Sequence, residues 1–345
     1  TLTIAEQWAP SGGEFRWHYE RFDAIIPIGS LLYFVYMGVG AVSGSILWLR
    51  IPSILFCLGA WILVRWCASR LVGRPPQVVL WTMAGAYSLG CVSWLITLRA
   101  EPLVALLVVA TLACSINFVE TLRMEWLAAG GLLAAVGLSV HTTGLLVLAP
   151  LAALLPTIVR KRLRSSDRDL AALATIAFWS ASALLFLVFF DSDVRAWASN
   201  YEEFARTGVH GRDWSDEFER YAKLLANWST PPRRLIVFAG LVASASYLMR
   251  NRQARDEAID LPGRALVIAF CLLALTPSKW PWHFGALVAL TSFALAVEVW
   301  RASQAEAVDR LPRTWRLAGL FLVALLVAGP GWVDWMPDLA TWLAA

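Results

Sequence analysis

Charge is scarce in this sequence, and so are the short motifs that mark soluble enzymes. Only 16% of the 345 residues are Asp, Glu, Lys or Arg, against 59% hydrophobic, with a mean hydropathy of +0.61. A soluble domain carries about a quarter charged residues. So much apolar surface with so little charge excludes a water-soluble globule and calls for lipid. Cysteine is sparse as well. Cys57, Cys67, Cys91, Cys114 and Cys271 all fall in apolar stretches and none has CxxC spacing, which argues for free buried thiols rather than a metal site. There is no P-loop, no GxGxxG after a strand, no GxSxG and no HExxH, so an ATP-driven pump or a zinc hydrolase is disfavoured. No internal repeat or low-complexity run stands out.

What is present is a series of ten apolar stretches, at 51–69, 77–98, 102–120, 124–140, 143–159, 169–190, 235–249, 263–276, 284–300 and 317–333. Each approaches the roughly 20 residues that cross about 30 Å of hydrocarbon, although 263–276 is short before Pro277. Every second connection is rich in arginine: Arg65, Arg70 and Arg74; Arg123; Arg160 to Arg168; Arg250 to Arg264; Arg301 to Arg316. Short Lys/Arg-rich loops stay in the cytoplasm. The other face then carries residues 1–50, Arg99 to Glu101, His141 to Thr143, 191–232, 276–283 and the tail 334–345. The stretch 24–48, with Pro27 and several glycines, must not cross, because the arginine parity would invert. It reads as an interfacial or re-entrant segment. The fold expected is an all-α polytopic membrane protein: an external segment 1–50, spans within 51–190, a long external loop 191–232, spans within 233–333, and an external tail. The net charge of +4 follows from the cytoplasmic loops and requires no nucleic-acid partner. The chain opens on Thr1 and is expected to be an excerpt of a longer protein.

Candidate chemistry gathers on the external face. In Thr276 to Gly285, Pro277 and Pro281 forbid a regular helix and set Lys279, Trp280, Trp282 and His283 at the membrane boundary. The plain alternative is an aromatic belt with a snorkelling lysine, but a lysine and a histidine at headgroup depth suit a lipid-linked phosphate. Arg99 and Glu101 place opposite charges at the same depth; an ion pair there marks function or simply closes a helix end. His141-Thr142-Thr143-Gly144 is a polar break that either lines a pocket or turns a hairpin. The loop 191–232 mixes arginines with Trp197, Trp214 and Trp228. Aromatic faces stack on sugar rings and arginines clamp phosphates. A solvated amphipathic helix at 213–226 accounts for most of the charges of this loop, with Arg206, beside Thr207-Gly208, the exception. Near the start, Glu14, Glu20 and Asp23 offer carboxylates able to act as a base.

These elements, in this order, resemble the Emb arabinosyltransferases, the ethambutol-target enzymes of actinobacterial cell-wall synthesis. The resemblance rests on Ile46-Leu47-Trp48-Leu49-Arg50-Ile51-Pro52, Leu98-Arg99-Ala100-Glu101, Thr143-Gly144, the loop around Trp214, and Thr276-Pro277-Ser278-Lys279-Trp280 with His283-Phe284-Gly285. It runs over essentially the whole chain, and the Lys-Trp…His-Phe-Gly turn is its most specific part. It implies a GT-C glycosyltransferase that passes arabinofuranose from a decaprenyl-phospho-arabinose donor to the arabinan of arabinogalactan or lipoarabinomannan, by inversion, outside the plasma membrane. It further implies no cofactor, a possible homologous subunit as dimer partner, an acyl carrier protein on the inner face, and carbohydrate-binding modules that lie outside this chain. Glu20 resembles an acid of the family's active-site loop. The main aspartate base is expected upstream of Thr1, with Ile4 lining the pocket beside it. Lys279, Arg206, Arg99 and His283 would neutralise the departing phosphate, Trp280 and Trp214 would stack on sugars, and Glu101, Thr143 and Trp282 would complete the substrate contacts. Pro281-Trp282 departs from the family's small residue and second histidine, a change that bears on acceptor contacts. The readings kept beside this one are a transferase of another polyprenyl-phosphate sugar such as mannose, a non-catalytic partner subunit, and a lipid-sugar transporter.

Overall fold

The computed structural model describes residues 30–43, 45–95, 99–161, 167–189, 214–225, 230–249, 256–276 and 279–304. Among these residues every regular element is helical. The elements are α1 (Ser30–Val42), α2 (Ile46–Leu49), α3 (Ile51–Val72), α4 (Gln77–Gly90), α5 (Glu101–Thr121), α6 (Met124–Val140), α7 (Ala149–Ala153), α8 (Leu155–Lys161), α9 (Asp167–Phe189), α10 (Glu217–Leu225), α11 (Pro231–Met249), α12 (Leu261–Ala274) and α13 (Val288–Gln304). Among the described residues, six helical runs are long and apolar enough to cross a membrane: Leu47–Val72, Gln77–Leu95, Glu101–Thr121, Thr142–Arg160, Leu170–Leu187 and Pro281–Gln304. Met124–Val140 and Leu261–Ala274 are shorter apolar helices. The predicted stretch 235–249 falls in α11, and 317–333 lies outside the described residues. This is a multi-pass helical membrane fold.

Local sequence sets the helix ends. Pro52, Pro102 and Pro262 each sit in a first turn, where a missing N–H costs nothing. Gly73, with φ +71°, ends α3 in the left-handed region that suits glycine. The 13 residues of α1 reach only about 20 Å, short of a bilayer core. The helix is docked rather than spanning: Leu32 and Tyr36 are buried, and the Tyr36 hydroxyl meets Ser53 Oγ at 2.9 Å.

The α5 and α13 helices form the centre, with α3 and α6 packed on α5, and α4 and α11 on α13. The α9 helix lies at the rim against α6 and leaves Phe178, Trp179, Leu185 and Phe186 outward, as a lipid-facing helix does. Small residues allow the closest crossings. A methyl at Gly90 would strike Val288, and one at Gly144 would overlap the Gly137 carbonyl. At the arginine-rich end, Arg301 pairs with buried Asp260 at 2.7 Å, Arg70 with Glu120, and Arg264 donates to the Ala153 carbonyl at 2.9 Å. Those arginines tie neighbouring helices together.

At the other end the helices are irregular. The α4 helix passes into a π turn at Cys91–Leu95, and two seven-residue 3-10 turns, Thr142–Leu148 and Pro281–Leu287, precede α7 and α13. Turns of these kinds are short and uncommon, and they favour functional sites. Gly144→Ala forces the backbone apart at the hairpin and should lower stability by about 1–3 kcal/mol or more, read as a fall in melting temperature in detergent. Gly85→Ala, where an added methyl meets nothing within 4 Å, should leave it unchanged or slightly raised.

Candidate active site

The centre of this irregular end is a buried guanidinium. Arg220 lies on the inner face of α10 and is fully buried. Its Nε donates to Glu217 Oε1 at 2.8 Å. One Nη reaches the Trp280 carbonyl at 3.0 Å and His283 Nδ1 at 2.8 Å, and the other reaches the Leu273 carbonyl at 3.1 Å and Thr276 Oγ1 at 2.7 Å. All five arginine N–H groups therefore have acceptors, and they join α10, the end of α12 and the proline-braced corner. Burial pulls the Arg220 pKa below its ordinary value, and Glu217 opposes that. Sequence reasoning missed this residue by taking α10 as a solvated face. Glu217, Arg220 and Leu224 recur at helical spacing, but that spacing does not say which face turns inward; in the structure Arg220 and Leu224 are the buried residues of the helix.

Lys279 also turns inward. Its ammonium donates to the Ala274 and Thr276 carbonyls, at 2.6 and 3.1 Å, and sits 3.5 Å from Glu217. In this arrangement it braces the corner. Trp280 and Trp282 stack with ring centres 4.4 Å apart and planes 10° off parallel. Lys223 Nζ lies 4.0 Å from the Trp280 ring centre and Arg99 Cζ 4.2 Å from that of Trp282. A 4.4 Å gap admits nothing, so the cations cover the outer faces and make a four-layer stack with cation–π contact at both ends.

Around the corner stands a polar cluster. Gly285 allows it: a methyl there would meet Trp94 at 3.2 Å and Glu101 at 3.3 Å. Buried Glu101, His141 and buried His283 each bring one polar atom within 4.8 Å of the others, and the two imidazoles meet edge-on at 5.5 Å. His141 Nδ1 accepts from the Thr143 N–H at 3.2 Å and lies 2.8 Å from the hydroxyl of buried Thr143. His283 Nδ1 accepts from Arg220. In each neutral ring the proton then sits on Nε2, which leaves neither nitrogen a lone pair for a metal. The cluster is a carboxylate with N–H donors, suited to oxyanions and protons and unsuited to a resident cation.

Among the sequence-derived candidates, the structure brings together Arg99, Glu101, Thr143, Lys279, Trp280, Trp282 and His283. Trp214 stands exposed at the start of a short turn before α10. Glu20, Ile4 and Arg206 lie outside the described residues.

Together, the fold and this site define a polytopic helical membrane protein with a cluster of cationic, histidine and aromatic side chains at one end of its bundle. A family model described as mycobacterial cell wall arabinan synthesis protein matches residues 11–339, and the chain belongs to that family. Probable arabinosyltransferase A of Mycobacterium tuberculosis is 26% identical over 351 residues, covering 96% of this chain and 32% of that protein. Probable arabinosyltransferase C of Mycolicibacterium smegmatis is 29% identical over 272 residues, covering 72% and 24%. The chain thus spans about a third of the length of such relatives or less. The cryo-EM structure of arabinosyltransferase EmbB from Mycobacterium smegmatis shares the fold, with a TM-score of 0.59 at 22% identity over 79% of this chain and 25% of that one.

Two predictions follow from the geometry. Arg220→Met leaves the Leu273 and Trp280 carbonyls, Thr276 and His283 without their shared donor and should destabilise the protein by about 3 kcal/mol or more, measured by thermal unfolding; Arg123→Gln, in an exposed pair with Glu125, should barely move the melting temperature. Burial, with Arg99 nearby, pushes the His141 pKa down to about 4, below the unfolded value of about 6.5. The unfolded chain therefore takes up that proton first, and stability should fall as pH drops from about 6.5 towards 4, by up to about 1.4 kcal/mol per unit. His141→Gln should flatten that slope.

Proposed function

We propose that this chain is the membrane-embedded catalytic region of an arabinofuranosyltransferase. It moves arabinose from decaprenyl-phospho-arabinose to the arabinan of arabinogalactan or lipoarabinomannan, at the external face of the plasma membrane. The observation that carries this reading is the convergence, at one end of a helical bundle of this family, of exposed Arg99, buried Glu101 and two histidines. The charges sit where helices end, which is where a lipid-borne phosphate lies when its tail is in the membrane. A transporter would need polar groups along its span centres as well. The arabinosyltransferase names of the relatives supply the sugar.

The chemistry is a single displacement. An acceptor hydroxyl oxygen attacks the anomeric carbon, the bond from that carbon to the phosphate oxygen breaks with inversion, and its electron pair leaves with the phosphate. The hydroxyl proton passes to a carboxylate, assigned to Glu20 in this chain beside an aspartate expected upstream. Arg99 and the His283 N–H stabilise the charge that develops on the phosphate. Thr143 holds His141, and Glu101 sets the field beside Arg99. Lys279 serves by bracing the corner that presents His283, while Arg206, Trp214, Ile4 and Trp282 are assigned to substrate contact. A homologous subunit and an acidic acyl carrier protein at the arginine-rich face are the partners this reading expects.

Purified protein should transfer arabinose from decaprenyl-phospho-arabinose to a short arabinan acceptor and should not use decaprenyl-phospho-mannose. His283→Ala should lower kcat about 100-fold, as loss of one preorganised donor does. Mannose transfer, or no transfer from a protein that binds the donor, would move the reading to another sugar or to a partner subunit.

A further inference from the structure

Helix α10 is amphipathic the wrong way round for water. Its buried side carries Arg220 and Leu224. At 3.6 residues per turn, Phe218, Ala222 and Leu225 fall together on the opposite side, and all three are exposed, Phe218 to 80%. Water favours the reverse arrangement, with the guanidinium outside and the phenyl ring inside. Single exposed apolar side chains are ordinary, but a contiguous stripe on a helix that hides its charge marks a contact with something apolar.

Position and flanking charge say what that contact is. Arg220 donates to the Leu273 carbonyl and the Thr276 hydroxyl, which pins α10 against the last turn of α12. That end of α12 leaves Cys271 and Leu275 exposed, one helical turn apart, on an apolar helix whose outward side chains meet hydrocarbon in a membrane fold. Tyr221, beside the stripe of α10, interacts with the Cys271 thiol, so the two apolar surfaces run together. Along the other edge of the stripe, Lys223 and Glu219 form a half-buried pair at 2.8 Å. A neutral pair of charges bordering an apolar face suits a layer of zwitterionic headgroups. The nine residues of α10 reach only about 14 Å, too short to cross and long enough to lie in that layer. We propose that α10 is seated in the membrane boundary, with Phe218, Ala222 and Leu225 against phospholipid acyl chains. Trp214, on the 3-10 turn ahead of the helix, keeps the substrate role assigned above. The proposal stands apart from the transferase reading, because it concerns the outer face of α10 and no sugar. Its effect still reaches the site: the lipid that holds α10 in place also holds Arg220 against His283.

The test uses the whole chain in phosphatidylcholine nanodiscs, with the photoreactive residue p-benzoylphenylalanine placed at one position at a time. Phe178, outward on α9, is the lipid-facing control, and exposed Arg123 is the control for water. After irradiation, mass spectrometry should find a phosphatidylcholine adduct at position 218 in a yield like that at 178, with none at 123. The probe keeps the aromatic bulk of Phe218, so the fold is not at stake. A second measurement needs no probe. Phe218→Asp should lower the melting temperature in nanodiscs and Phe218→Leu should not, whereas a face in water would accept the aspartate without loss. Labelling at 218 as low as at 123 overturns the proposal, and so does an unchanged melting temperature in Phe218→Asp. Crosslinks from 218 to protein in place of lipid also overturn it, since they mean that a second copy or another segment of the chain covers the stripe.

Discussion

The site hangs on one buried charge. Removing a guanidinium from water is expensive unless every donor finds an acceptor, and Arg220 meets that condition with contacts drawn from α10, the end of α12 and the corner that leads into α13. The condition works in both directions. Because Arg220 must be satisfied, Trp280 and Thr276 are held at one spacing, and His283 is held in one tautomer. The histidine is thus defined by a residue 63 positions away, on a helix that otherwise looks like part of a loop. Lys279 repeats the device on a smaller scale from within the corner.

A second constraint is proximity of backbone. The hairpin at His141 and the corner at His283 can place two imidazoles 5.5 Å apart only because glycines stand at both. Gly144 lets its turn cross α6, and Gly285 lets the corner rest on Glu101 and Trp94. The regular helix is abandoned at these points, in two 3-10 turns and one π turn. Packing of α5 and α13 in the bundle centre supplies the stability that such irregularity consumes. Charged side chains collect at that end and at the arginine-rich end, with mostly apolar side chains between them.

Much of this was written in the sequence and some was not. Twenty-residue apolar runs report helices directly, since lipid leaves the backbone few other choices. Pro277 and Pro281 announce the corner, and the Arg-Ala-Glu turn announces its partner. Arg220 and Arg233 were not visible in the same way. A short amphipathic helix reads alike whether its polar face meets water or a set of acceptors 53 to 63 residues further on, and only tertiary structure decides between them. Arg233 was not singled out in the sequence either: its Nε donates to the Ser93 carbonyl beside Trp94 in a π turn, a form of backbone that no periodicity reveals. The orientation of Lys279 escaped for the same reason: its acceptors are main-chain oxygens, which carry no residue identity.

The layered arrangement of Lys223, Trp280, Trp282 and Arg99 bears on how a sugar could be told from its epimers. An open indole face responds to the flat C–H side of a ring and is tolerant of hydroxyl orientation. Here both faces of the pair are already covered, so the indoles meet a ligand along their rims. Rim contact is directional, as is a guanidinium edge, and both respond to where each hydroxyl points. Under the transferase reading proposed above, a wall built this way would discriminate by stereochemistry instead of by area.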